Sequence, residues 1–188
     1  MNGKTMMPAG WHRHAWLGFM IVASLVLSLG FACAAPFAAF GAISALTLDR
    51  RTALVAIGGV WLANQAVGYL ALGYPLDASS LAWGAMIGLA AVAATVSARI
   101  MAAYFEANSR AAMTLAAFVV AFAAYEAALF IAAATLLGGT ESFTTAIITR
   151  IAETNAIAMA ALLLTNRLFI PASGDEEHKL PLMQRRAV

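Results

Sequence analysis

Charge is scarce in this chain, and so are the residues that usually do chemistry. Only 11% of the 188 residues are Asp, Glu, Lys or Arg, against about a quarter in a soluble domain. There is one cysteine, Cys33, so no internal disulfide can form and the redox compartment leaves no mark on the sequence. No Lys falls inside the long apolar runs, which excludes a retinal Schiff base in them. No two His sit at facing depth in those runs, which argues against a haem held by two imidazoles. No Ser/His/Asp pattern, HExxH motif or phosphate-cradling Gly-rich loop occurs, so an enzyme is not expected and no cofactor is implied. A basic stripe interleaved with aromatics is also missing, which leaves nucleic acid out as a partner.

What the chain does have is apolar. It is 63% hydrophobic, with a mean hydropathy of +0.84. That composition predicts an all-α integral membrane protein whose first partner is the lipid bilayer. One domain is expected over residues 1–170, followed by a mobile polar tail over 171–188. The N-terminal stretch MNGKTMMPAGWHRH lacks the pattern of a cleaved signal peptide, so an uncleaved first span is expected.

A helix needs about 20 apolar residues to cross about 30 Å of hydrocarbon. The apolar runs predict six spans: His14–Ala34, Phe37–Leu48, Thr52–Gly73, Ser80–Ala103, Arg110–Leu137 and Ser142–Ile170. The distribution of basic residues agrees with this count. With both termini in the cytoplasm, the inner side gathers Lys4, Arg13, Arg50, Arg51, Arg99, Arg110, Arg167, Lys179, Arg185 and Arg186. The outer connections, Cys33 to Pro36, Tyr74 to Ser79 and Gly138 to Glu141, contain neither Lys nor Arg. The break at Cys33-Ala-Ala-Pro36 is then a reversal, and Phe37–Leu48 is a short crossing that rises only about 18 Å. Backbone near Cys33 to Phe37 must lie at membrane depth, where it is tolerated only inside protein or along a wet cavity. A short, proline-interrupted segment also points to a transporter binding site.

Polar residues inside spans are functional-site hypotheses by default. Asn64, Gln65 and Tyr69 fall in the third span, Tyr125 and Glu126 in the fifth, and Arg150, Glu153 and Asn155 in the sixth. Counted from the outer turns at 1.5 Å per residue, Asn64, Gln65, Glu126 and Glu153 share a layer about 15 Å down. Glu126 and Glu153 are expected to face the bundle interior, with Arg150 touching at least one of them. Such a layer is open to three readings: an interhelical ion pair, a substrate site, or a proton or ion relay. Trp61, Trp83, Phe122 and Tyr125 are candidates for an aromatic lining. The candidate binding residues are therefore Cys33, Asn64, Gln65, Tyr69, Trp83, Tyr125, Glu126, Arg150 and Glu153.

The stretch CAAPFAAFGAISALTLDRRTALVAIGGVWLANQAVGY, Cys33 to Tyr69, resembles the membrane-embedded substrate-binding subunits of energy-coupling-factor vitamin transporters. It is most like their solitary cobalamin-type members: a proline, a small-residue helix, a short basic turn, then a span ending in a polar residue and Gly. Where the third span of those members often carries an acidic residue, this chain has Asn64-Gln65. The resemblance implies a pocket open to the outside and alanine-rich faces that dock a coupling membrane subunit with its ATPases. It also implies that Cys33 is a metal ligand, but only through the cobalt of a bound corrinoid. The expected function is capture and transport of a small, vitamin-like molecule, cobalamin among the candidates, across a bacterial inner membrane. Two other classes stay open: a structural or assembly subunit of a larger membrane complex, and a small proton-coupled carrier or channel.

Overall fold

A computed structural model describes residues 11–31, 35–105 and 109–169, with side chains over 14–26, 35–105 and 109–166. The described chain is helical, and no strand occurs among the described residues. Six helices follow one another: α1 (Trp11–Phe31), α2 (Phe37–Thr47), α3 (Arg50–Ala66), α4 (Ala78–Tyr104), α5 (Arg110–Ala132) and α6 (Thr145–Phe169). Helices α3 and α5 run on through wider π-helical turns, Val67–Ala71 and Ala133–Leu137. Four segments are long and apolar enough to cross a bilayer: Arg50–Ala71, Ala78–Tyr104, Arg110–Leu137 and Thr145–Asn166. By length and composition this is a multi-pass membrane protein. The expected tail over 171–188 lies outside the described residues, as does Cys33.

Short polar side chains set the helix starts. Asp49 accepts from the Thr52 amide and from its hydroxyl, at 3.1 and 2.6 Å, so α3 starts at Arg50, two residues before the apolar run. Asp77 accepts from the Ser80 amide at 2.7 Å and Ser109 from the Ala112 amide at 3.1 Å, opening α4 and α5. Glycines stop the long helices: Gly73 after α3, and Gly138 and Gly139 after α5, have φ of 69°, 77° and 90°, where a Cβ is strained.

The short second helix is the core of the bundle. At 11 residues α2 rises about 17 Å, well under a hydrocarbon thickness. Every residue from Phe37 to Ala45 is buried. Helices α3, α4, α5 and α6 pack around α2, while α1 covers α3 and α6. Small residues make the close approach possible: a Cβ on Gly41 would sit 3.0 Å from Thr95 Oγ1 and 3.2 Å from the Thr95 amide nitrogen. A buried helix must still satisfy its end groups. Asn155 of α6 accepts from the Ala39 amide at 3.1 Å, in the first turn of α2. Arg99 of α4 donates to the Leu48 carbonyl at 2.9 Å and reaches the Ala45 carbonyl at 3.5 Å, at the negative end of the α2 dipole. Both ends of α2 are thus held by side chains from other helices.

These contacts fix where α2 begins along its neighbours. Asn155 lies ten residues into α6, about 15 Å along it. Phe37 stacks on Tyr125, ring centroids 6.0 Å apart, and Tyr125 lies twelve residues before the end of the α5 extension, about 18 Å. The chain therefore begins α2 about halfway along its neighbours, inside the bundle.

Candidate functional site

A cavity of about 290 Å³ lies above the N-terminus of α2. Its floor is Ala35, Phe37 and Tyr125. One wall comes from the end of α3, with Asn64, Gln65 and Tyr69, and another from α4, with Ser80, Trp83, Gly84 and Ile87. Tyr74, from the loop joining α3 to α4, completes it. Between Ser80, in the first turn of α4, and Ile87, seven residues further on, the cavity reaches about 10 Å down the helix.

Local geometry explains how these side chains come to one place. The π-helical turn widens the end of α3 where Tyr69 lies, a feature often found at functional sites. The Tyr69 hydroxyl shares a hydrogen bond of 3.2 Å with Ser80, joining the end of α3 to the start of α4. Tyr74 meets Tyr69 edge to face at 6.1 Å and lies over Gly68, where a Cβ would be 2.6 Å from the Tyr74 ring. Gly84 makes room on the other wall: a Cβ there would stand 2.6 Å from Gln65 Oε1. The Trp61 indole donates to the Gly84 carbonyl at 2.8 Å and packs on Gly88, fixing α3 against α4 behind the pocket.

The chemistry of the lining is specific. None of the lining residues carries a formal charge. Tyr125 is 6% exposed, and its hydroxyl has no hydrogen-bond partner among the described residues. The Trp83 indole N–H likewise has no partner among them. Asn64 and Gln65 bring amides, each able to donate and accept; the Gln65 amide lies 3.5 Å from Asn64 Oδ1. The pocket is thus lined by aromatic faces, two donors without partners among the described residues, and two amides. It fits an uncharged molecule with a flat body and carbonyl or ring-nitrogen acceptors on its edge.

Five of the nine sequence candidates meet here: Asn64, Gln65, Tyr69, Trp83 and Tyr125. Cys33 precedes the floor by two residues and lies outside the described residues. Glu126 does not line the pocket; it is half-buried on the next position of α5, with Oε1 buried and without a hydrogen-bond partner among the described residues. The expected charge layer does not form. Arg150 and Glu153 are exposed on α6, and among the described residues no ion pair joins Arg150 to Glu126 or Glu153. The cause is helical phase: α6 turns Asn155, Ala158, Met159 and Leu162 inward to α2, which leaves residues 150 and 153 on the far side. Of the other aromatics, Trp61 braces the wall from behind and Phe122 packs beside Phe118 at 6.4 Å.

Sequence reasoning missed Phe37, Tyr74, Ser80 and Gly84 as lining residues. Gly84 carried a readable signal, since an isolated glycine within a helix often marks a close approach. Comparison of the chain with protein-family models, curated proteins and solved structures finds no match.

Proposed function

We propose that this chain captures a small, uncharged, vitamin-like molecule at the outer face of a bacterial inner membrane and serves its transport. The observation that supports it is the pocket itself: polar and aromatic, free of charge, and set against the start of a buried half-length helix. Broken helices at mid-depth are where membrane transporters hold substrates. A volume of about 290 Å³ falls at the lower end of small-molecule sites. A corrinoid is several times larger than this space, so a smaller planar ligand is the better fit. Its flat body would lie between Trp83 and Tyr125, with Asn64, Gln65, the Tyr125 hydroxyl and the Trp83 indole reading its edge. Binding there would tie α3, α4 and α5 together at their outer ends, which gives a coupling membrane subunit something to sense.

Glu126 favours a second reading, a proton-coupled carrier, because one of its oxygens is buried without a partner among the described residues. Thermal unfolding of the detergent-solubilised protein with a panel of compounds separates these readings. Uncharged heteroaromatic amides are expected to stabilise it, by about 2.7 kcal/mol at a hundredfold excess over Kd. Cyanocobalamin, simple amines and simple carboxylates are expected to have no effect. Stabilisation by cyanocobalamin at micromolar concentration would contradict the size argument, and stabilisation only by charged compounds would contradict the assigned chemistry.

A further inference from the structure

The side of α6 turned away from the bundle carries a regular stripe. Ala146, Arg150, Glu153, Ile157, Ala160 and Leu164 follow at spacings of four, three, four, three and four, and all six are exposed. Ile157 and Leu164 are 69% and 67% exposed. This is the spacing at which two helices pack along a common seam. The stripe stands between two apolar grooves. One, of about 450 Å³, lies against α5 and includes Phe118 and Ala160; the other, of about 380 Å³, lies against α1 and includes Phe19 and Ile157. Helix α6 is thus a ridge with a groove on either side.

The charges on the ridge need a partner. Arg150 and Glu153 lie five and eight residues into α6, about 7.5 and 12 Å below its outer end. Neither is in an ion pair among the described residues. Charged side chains on membrane-spanning helices are rarely left facing lipid, because the cost is a few kcal/mol or more. The small residues Ala146 and Ala160 would let another helix come close.

We propose that this face of α6 is the interface of a parallel homodimer, with Arg150 of each protomer paired to Glu153 of its partner. The two residues lie about 60° apart around the helix and about 4.5 Å apart along it. A two-fold axis along the membrane normal, passing between them, brings Arg150 opposite Glu153 on one side of the seam and Glu153 opposite Arg150 on the other. The interface is self-complementary, as an isologous contact requires. The same axis brings Ile157 against Ile157 and Leu164 against Leu164 near the centre of the seam. A different subunit would need a separate complementary pair; a second copy of this chain already has it.

The test is a charge swap read by oligomeric state. The full-length protein is reconstituted in lipid nanodiscs, and its stoichiometry is counted by single-molecule photobleaching. Wild type is expected to be dimeric. Arg150→Glu alone and Glu153→Arg alone each place like charges across the seam, and the dimer fraction is expected to fall by about tenfold or more. The double variant Arg150→Glu/Glu153→Arg restores the pairing and is expected to restore the dimer, which separates lost pairing from lost folding. In a Cys33→Ala background, Ile157→Cys is expected to cross-link to itself in native membranes, while Val119→Cys, exposed on α5, is not. A monomeric wild type, or a double variant no more dimeric than the singles, overturns the proposal. Cross-linking of Ile157→Cys only to a different protein also overturns it and assigns the face to another subunit.

Discussion

Replacing Asn155 by Leu removes the acceptor that holds the first turn of α2 while nearly preserving side-chain size. Asn155 is 1% exposed, accepts from the Ala39 amide at 3.1 Å, and donates to the Ile151 carbonyl at 2.9 Å. Two magnitudes compete. A side-chain hydrogen bond between membrane helices averages only about 0.6 kcal/mol, because the unfolded chain in the membrane finds other partners. A buried donor left with no partner costs about 1–3 kcal/mol. The second figure applies, since the Ala39 amide belongs to a helix that is buried over its first nine residues and has no water to turn to. The added apolar surface of Leu recovers part of this, so a net loss of about 2 kcal/mol is expected. In a chain of this size that lowers the unfolding temperature by roughly 4–8 °C. Thermal unfolding followed by the intrinsic tryptophans in detergent measures it. Asn155→Asp keeps an acceptor at the positive end of α2 and is expected to lose less than the Leu variant. If Asn155→Leu melts with wild type, the inter-helix cap contributes nothing and the account of how α2 is held is wrong.

The other end of α2 makes a parallel case. Arg99→Leu removes the donor to the Leu48 carbonyl and is expected to lower the unfolding temperature, whereas Arg99→Lys retains part of the effect by keeping the positive charge near the α2 C-terminus. Equal melting of both variants with wild type removes Arg99 as a cap. Topology gives a third test: cysteines placed at Ala78 and Thr140 are expected to react with impermeant maleimide on intact cells, and one at Ala111 only after permeabilisation. Labelling of Ala111→Cys from outside reverses the assigned orientation.

Much of the architecture was legible because helix ends announce themselves. Asp77, Ser109 and the glycines at 73, 138 and 139 sit where the apolar runs stop, and Pro36 marks the break before α2. The shortness of α2 was legible from a count. Its place at the centre was not, because an alanine-rich helix has no polar face whose phase reveals how many sides are covered. The same limit explains the failed charge layer. Depth along a helix can be counted from its end, and the count brought Asn64, Gln65, Glu126 and Glu153 to one level, of which only Asn64 and Gln65 line the pocket. Direction around the helix axis depends on which face meets α2, and Asn155, the residue that decides it for α6, looked like one more polar residue among Arg150 and Glu153. Trp83 of α4 was picked from the sequence, but its neighbours Ser80 and Gly84 were missed for another reason: they matter through contacts with Tyr69 and Gln65 on a different helix.

The central claim is that the cavity holds a small molecule, and a pocket-filling variant tests it most directly. At Gly84 a Cβ would already meet Gln65 Oε1 at 2.6 Å, and that atom ends a flexible side chain. Gly84→Val is therefore expected to push Gln65 into the cavity while leaving the bundle folded. Wild type and Gly84→Val, gently solubilised from the same cells, are extracted and compared by mass spectrometry of the co-purified small molecules. An uncharged, planar compound is expected to be enriched with wild type and lost from a variant whose unfolding temperature is otherwise little changed. Identical small-molecule content in two equally folded proteins would contradict it.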